Sequence, residues 1–287
     1  MRRFLTGLVF FVILIGGFIL LSRSAPLQIL TPQGPVAGEE YHLITTAIGL
    51  MLIVVIPVFI LLFFFAWRYR AGNEKAVYLP NWEHSRLDEC IWWAVPTLIV
   101  AALAVLTWQS THALDPYRPL SATTTPLSVD VVALDWKWLF IYPAQGIASV
   151  NYLEIPAGTP INLYLTADAP MNSFWVPELS GQIYAMPGMS TELHIEASGA
   201  GAYGGMSANF SGDGFSGMQF LVHSVPEGEF NTWVAGVRYA SSTLSWNIYE
   251  TLAKPSENNP VQTFSAVSPA LYTQIIDTYM TPSSTSM

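Results

Sequence analysis

Hydrophobic and polar positions follow two different rules along this chain. Up to about residue 110 the apolar residues come in long unbroken runs. One spans Phe4 to Leu21 behind the basic start Met1-Arg2-Arg3. A second spans Leu43 to Trp67, 25 residues without a charge, and a third spans Ile91 to Trp108, 18 uncharged residues. Runs of about 18 residues or more are long enough to cross a bilayer as helices. Pro57 inside the second run predicts a kink and does not exclude a span. Trp67, Tyr69, Trp92, Trp93 and Trp108 gather at the run ends, where interfacial aromatic belts sit. The competing reading, two buried helices of a large soluble core, fits the absence of charge less well. The first run has the form of a signal peptide or of a further membrane segment, with small residues Ser22 and Ser24 at a possible cut after residue 24.

Beyond a Pro/Ser/Thr-rich linker, Asp115 to Pro126, the rule changes to short alternating segments. Leu127 to Leu134, Ile147 to Ile155, Pro160 to Leu165, Ser190 to Glu196 and Met218 to Val222 predict strands. Pro156-Ala157-Gly158, Pro187-Gly188 and the glycines from Gly199 to Gly205 predict the turns between them. Short strands at this spacing suggest a sandwich or Greek-key barrel. After Pro226 helical periodicity returns near Glu227 to Tyr239, Leu244 to Lys254 and Pro269 to Met280, the last opened by Ser268-Pro269. The expected organisation is therefore 1–24 signal peptide or N-terminal membrane segment, 40–110 a two-helix transmembrane hairpin, 125–225 an all-β exported domain, and 226–287 a C-terminal helical extension.

Composition sharpens this picture. Only 11% of the 287 residues are charged, 52% are hydrophobic, and mean hydropathy is +0.39, which argues against disorder and against an ordinary soluble enzyme. The formal charge of −9 argues against nucleic acid as a partner. Arg68, Arg70, Lys75 and Arg86, four of the 11 basic residues, flank or lie in the loop between the second and third runs, which predicts a hairpin tip in the cytoplasm. The rest of the chain from Ser110 holds four basic residues against 14 acids, a balance of −10, on the exported side. That acidic surface could steer a basic partner, but a solvated acidic face explains it more simply.

Cys90 is the single cysteine, so the exported region has no thiolate and no disulfide. Neither a thiolate-bridged copper pair nor a blue-copper His₂Cys site can be built there. His194 lies between Glu192 and Glu196 in an alternating strand, with Leu193 and Ile195 pointing in, and is expected on the outward surface. His223 has no second His at ligand spacing and is expected at a strand end. Met171, Met186, Met189, Met206 and Met218 fit gap-filling in a core better than Cu(I) handling. Trp136 and Trp138, two apart, are expected on one strand face, in core packing or contact with a partner subunit. Asp88 and Glu89 open the third apolar run, where acids complement a helix dipole; Glu89, at the membrane boundary seven residues before Pro96, is also placed as functional boundary acids are.

Two spans followed by an exported β-barrel resemble subunit II of the haem-copper terminal oxidases, whose exported domain is a cupredoxin. In the cytochrome c oxidase branch, the family pattern puts a His before a Ser-Phe/Trp stretch, then C-x-E-x-C-x₃-H-x₂-M. Here the first stretch reads Met171-Asn172-Ser173-Phe174-Trp175, and the second runs Phe210-Ser211-Gly212-Asp213-Gly214-Phe215-Ser216-Gly217-Met218-Gln219-Phe220-Leu221. On that pattern Asn172, Phe210, Gly212, Gly214, Met218 and Leu221 stand at the six ligand positions, and all six ligands are gone. The flanking motifs Gln182-Ile183-Tyr184-Ala185-Met186, Asp135-Trp136-Lys137-Trp138, Phe140-Ile141-Tyr142-Pro143 and Thr111-His112-Ala113-Leu114 resemble subunit II of cytochrome bo-type ubiquinol oxidases. The likeness covers roughly residues 40 to 280. One departure is Leu20-Leu21-Ser22-Arg23-Ser24, which lacks the family's lipobox Cys, so lipidation is not expected.

The resemblance implies a membrane α-helical hairpin plus an all-β cupredoxin-like Greek-key barrel with C-terminal helices. It implies a non-redox subunit of a quinol-oxidising, O₂-reducing, proton-pumping oxidase in the bacterial inner membrane, with the C-terminal domain periplasmic. No cofactor is expected on this chain; haems and copper are expected on subunit I, and ubiquinol is the substrate of the complex. Partners are subunit I and further small membrane subunits. Glu89 would stand where the family places a proton-uptake carboxylate, and no catalytic residue is expected here. The alternative is a membrane-anchored copper-binding or oxidase-assembly cupredoxin module.

Overall fold

The computed structural model describes residues 16–17, 27–75, 77, 84–121, 124–239 and 242–280. Nearly all of the predicted N-terminal segment 1–24 lies outside them. The chain divides into two compact units, 39–115 and 1–38 with 116–287.

The first of these units holds most of helix α1 (Pro35–Arg68) and all of helix α2 (Arg86–Ala113). At 1.5 Å per residue they measure about 50 and about 40 Å, longer than the ~30 Å hydrocarbon core of a bilayer. Both are long and apolar enough to cross a membrane, and none of their 18-residue apolar stretches is buried in this chain. Helix continues through Pro57 in α1 and Pro96 in α2. Ser85 caps α2, its hydroxyl accepting from the Asp88 N–H at 3.4 Å, with Asp88 and Glu89 in the first turn.

The other unit is a cupredoxin-like sandwich of two sheets. Strands β1 (Leu127–Leu134), β2 (Lys137–Tyr142), β3 (Ile147–Val150), β5 (Ile161–Ala167), β8 (Thr191–Ile195) and β12 (Gln262–Phe264) form one sheet, in the order β12-β3-β2-β1-β5-β8. Strands β4 (Tyr152–Pro156), β6 (Asn172–Trp175), β7 (Ile183–Ala185), β9 (Gly201–Ser207) and β10 (Gln219–Val225) form the other, in the order β4-β10-β9-β6-β7. The pairs β1/β5 and β4/β10 are parallel, so the chain crosses between sheets instead of meandering. One crossing is made at Asn151, at φ 56°, a conformation Asn tolerates better than most residues. The predicted strand Ile147 to Ile155 is therefore two strands in different sheets. Asn151 secures the break: its Oδ1 accepts from Trp138 N at 2.8 Å and its Nδ2 donates to Asn259 O at 3.0 Å.

Between the sheets lies an aromatic core. Phe174 stacks on Phe220 at 4.9 Å between centroids, and Trp138 meets both edge-on at 5.3 and 5.7 Å. This packing corrects the reading of Gly199 to Gly205 as turn. Most of that stretch is β9, and a Cβ on Gly205 would lie 2.1 Å from the Phe220 ring. Glycine is there to let the ring lie against the strand.

The C-terminal residues belong to the same compact unit. Helices α3 (Glu227–Arg238), α4 (Trp246–Leu252) and α5 (Leu271–Met280) follow, with the short strands β11 (Thr243–Leu244) and β13 (Ala266–Val267) pairing in parallel. Leu244, Tyr249, Phe264, Leu271 and Ile275 form a second core with Val132, Leu139, Ile141 and Val150. That core covers the outer face of the six-stranded sheet, so β2 is buried along its whole length. Hence its sequence, Lys-Trp-Leu-Phe-Ile-Tyr, does not alternate.

Candidate functional site

In the helical unit the candidate is Glu89, in the first turn of α2. Its side chain is 43% exposed, and its Oε1 lies 3.6 Å from Nδ1 of the exposed His84. A carboxylate at this place is reached by water and is stabilised by the helix N-terminus behind it. Two basic side chains at the C-terminal end of α1 fasten to local backbone. Arg68 donates to Lys75 O at 2.8 Å, and Arg70 donates to Trp67 O at 2.8 Å while lying 5.2 Å over the Trp67 ring.

In the β unit the six positions that the copper pattern singles out do not form a donor set. Asn172 is fully buried at the start of β6; its Nδ2 donates to Pro170 O at 2.7 Å and its Oδ1 accepts from Ser207 at 2.9 Å. Met218 packs into the inter-sheet core. Phe210 is 75% exposed and meets Phe215 edge-on at 5.6 Å, and Leu221 is also exposed. Gly212, at φ 118°, and Gly214 lie against the Trp136 indole, where a Cβ would come within 3.1 and 2.5 Å of the ring. One engaged amide and one core thioether are the side-chain donors that remain. These residues do not fit the thiolate-bridged copper pair of that pattern, which needs thiolate and imidazole.

Trp136 is not on the strand face with Trp138. It occupies the turn before β2 at φ 62°, and its Nε1 donates to Ser211 O at 3.2 Å. Core packing is nevertheless what both rings do: Trp138 is inside the core and Trp136 packs against it.

Two histidine expectations need correction. His194 does face away from the inter-sheet core that holds Leu193 and Ile195, but it is buried there and not on the surface. The imidazole Nδ1 pairs with Asn162 Oδ1 of the neighbouring strand at 2.9 Å. His223 lies inside β10, not at a strand end. It faces the buried Glu154 across the parallel β4/β10 pair, Nδ1 to Oε2 at 3.0 Å, and Tyr152 also donates to that oxygen.

Sequence reasoning missed two further polar groups. Asp168, directly after β5, accepts from Tyr249 and from Tyr279, each at 2.5 Å. Lys137 has no exposed surface; its Nζ donates to Asp135 O, Lys254 O and Ser256 Oγ at 3.0, 2.9 and 2.7 Å. Burial lowers its pKa, and the nearby Asp135 carboxylate opposes that shift. Apart from Asp135 O, two residues from Lys137, the partners of both groups lie about 80 to 120 residues away, beyond any motif spacing.

Residues 238–283 match the COX Aromatic Rich Motif family model. The chain is 52% identical to cytochrome bo(3) ubiquinol oxidase subunit 2 of Pseudomonas putida, over 92% of this chain and 83% of that protein. It is 51% identical to ubiquinol oxidase subunit 2 of Acetobacter aceti, over 91% and 85%. Among solved structures, the periplasmic domain of subunit II of cytochrome oxidase from Bradyrhizobium japonicum aligns with a TM-score of 0.38 at 22% identity, covering 42% of this chain and 96% of that one. With identity above one half over most of both sequences, the chain belongs to the ubiquinol oxidase subunit 2 family.

Proposed function

We propose that this chain is the non-redox subunit II of a quinol-oxidising, O₂-reducing, proton-pumping terminal oxidase. The observation that carries the proposal is the donor set at 172 and 210–221, which offers glycine, phenylalanine and core methionine where an electron-relaying copper pair would need thiolate and imidazole. A β domain without such a relay suits a donor that dissolves in the membrane. Ubiquinol would then be oxidised within the bilayer, and haems and copper would reside on subunit I.

In this reading α1 and α2 cross the bacterial inner membrane and hold subunit I and further small membrane subunits. The basic hairpin tip faces the cytoplasm and the acidic β domain the periplasm, as the distribution of Arg and Lys supports. Glu89, half-exposed at the tip-side end of α2, collects protons from the cytoplasm for oxygen reduction. The test is Glu89→Ala and Glu89→Gln in the assembled oxidase. Reduction of the oxygen-binding centre is expected to slow in both. Unchanged reduction kinetics and turnover would remove the proton-uptake role while leaving the quinol assignment standing.

A further inference from the structure

Three stretches that follow or precede strands of the sandwich, 168–171, 186–190 and 208–218, are irregular apart from a single 3₁₀ turn at Phe215–Gly217. Among the described residues no disulfide and no cluster of three metal-binding side chains fastens them. The C-terminal segment 242–280 meets all three, by hydrogen bonds at the first two and by close packing at the third. Asp168 binds two tyrosines from different helices, with Tyr249 of α4 on Oδ2 and Tyr279 of α5 on Oδ1. One carboxylate thus ties both helices to the end of β5, and neither can leave without breaking a charge-assisted bond. Tyr279 also lies against Gly188, at φ 71°, where a Cβ would be 3.2 Å from the tyrosine Cβ. Two residues on, Ser190 pairs with the Tyr272 hydroxyl at 2.9 Å.

The third stretch is met by the loop before β12. A Cβ on Gly217 would lie 2.7 Å from Asn258 Oδ1. That loop is held in turn, with Lys137 donating to Lys254 O and Ser256 Oγ, and Asn151 donating to Asn259 O. At the first two stretches the contacts include directional hydrogen bonds from the hydroxyls of Tyr249, Tyr272 and Tyr279, whereas the third is close packing; the apolar side chains of the second core cover sheet surface.

We infer that the C-terminal aromatic segment is a clamp that fixes these three stretches in one conformation, with Asp168 as its fastening point. The segment is then more than a lid over apolar strands. The stretches it fixes include the positions at which a metal centre would otherwise supply order.

The test is hydrogen–deuterium exchange on the intact membrane complex, comparing the wild-type chain with Asp168→Asn, Tyr279→Phe and Asn258→Ala. These changes leave the apolar cover in place. Exchange at 168–171 and 186–190 is expected to rise about tenfold in the first two variants, and at 208–218 in the third, with β1, β2 and β5 unchanged. Unchanged exchange in the three stretches would overturn the inference. So would a rise spread evenly over the strands, which would mark the segment as general support for the sheet.

Discussion

Gly214→Ala adds one methyl group at the place where the structure is least able to take it. The new Cβ would lie 2.5, 2.6 and 2.7 Å from three ring atoms of Trp136, about 1 Å inside ordinary carbon contact. The obstacle is the fused edge of an indole, not the end of a flexible chain. Trp136 is fixed by its left-handed backbone, by its Nε1 bond to Ser211 O, and by packing on the inter-sheet core. Either the ring or the 210–217 loop must shift, and overpacking of this kind costs about 1–3 kcal/mol. For a unit of this size that corresponds to roughly 3–10 °C in the unfolding midpoint. The assay is thermal unfolding of the purified full chain in detergent, alone and in a double-mutant cycle with Trp136→Leu. If the indole is the obstacle, the two costs are non-additive by about 1 kcal/mol or more, because the smaller side chain makes room for the methyl. A Gly214→Ala variant as stable as wild type, or strictly additive costs, would refute the packing argument. It would also refute its corollary that a cysteine cannot simply be placed at 214.

Three further outcomes follow from particular side chains. Burial raises the pKa of Asp130 to about 6, so the native state binds this proton more tightly than the unfolded chain does. Its contribution to stability is therefore greatest below about pH 4 and is lost as pH rises through about 6. Asp130→Asn is expected to raise the unfolding midpoint at pH 7.5 and to flatten the pH profile between 4 and 6. The gain is about 1 kcal/mol after discounting for partial exposure, and an unchanged profile in a pH series of melts would contradict it. Gly205→Ala would place a methyl 2.1 Å from the Phe220 ring inside β9, and is expected to cost about 2 kcal/mol or more by chemical denaturation. Lys137→Met leaves Lys254 O and Ser256 Oγ without their buried donor and is expected to cost about 2 kcal/mol, read as a lower denaturant midpoint.

The two long apolar helices were legible in the sequence because such a run leaves a one-dimensional signal. Twenty-five uncharged residues from Leu43 to Trp67 lie within α1, and Ile91 to Trp108 lie within α2. Strands with one packed face were legible by alternation, and β1 begins and ends as expected, at Leu127 and Leu134. Legibility failed where both faces are packed or where tertiary contact overrides propensity. His194 alternates like a surface residue, yet it is buried and hydrogen-bonded to Asn162 on the adjacent strand. Gly201 to Gly205 have the composition of a turn, yet the Phe220 ring requires glycine within a strand. Trp136 was placed on a strand by its spacing from Trp138; nothing local announces its left-handed backbone, which the 210–217 loop rewards from about 75 residues away. The missing copper donors were legible because they are a matter of residue identity at aligned positions. The residues that fill their place were not, since the fit of an indole against two glycines exists only in three dimensions.

If, as proposed, the β domain relays no electron, reducing equivalents reach the oxidase through the membrane. Oxygen uptake by the purified complex containing this chain, with ubiquinol or with reduced cytochrome c as sole donor, tests it most directly. Sustained uptake is expected on ubiquinol, and none above background on cytochrome c. Turnover on cytochrome c accompanied by the redox cycling of a metal bound to this chain would contradict it.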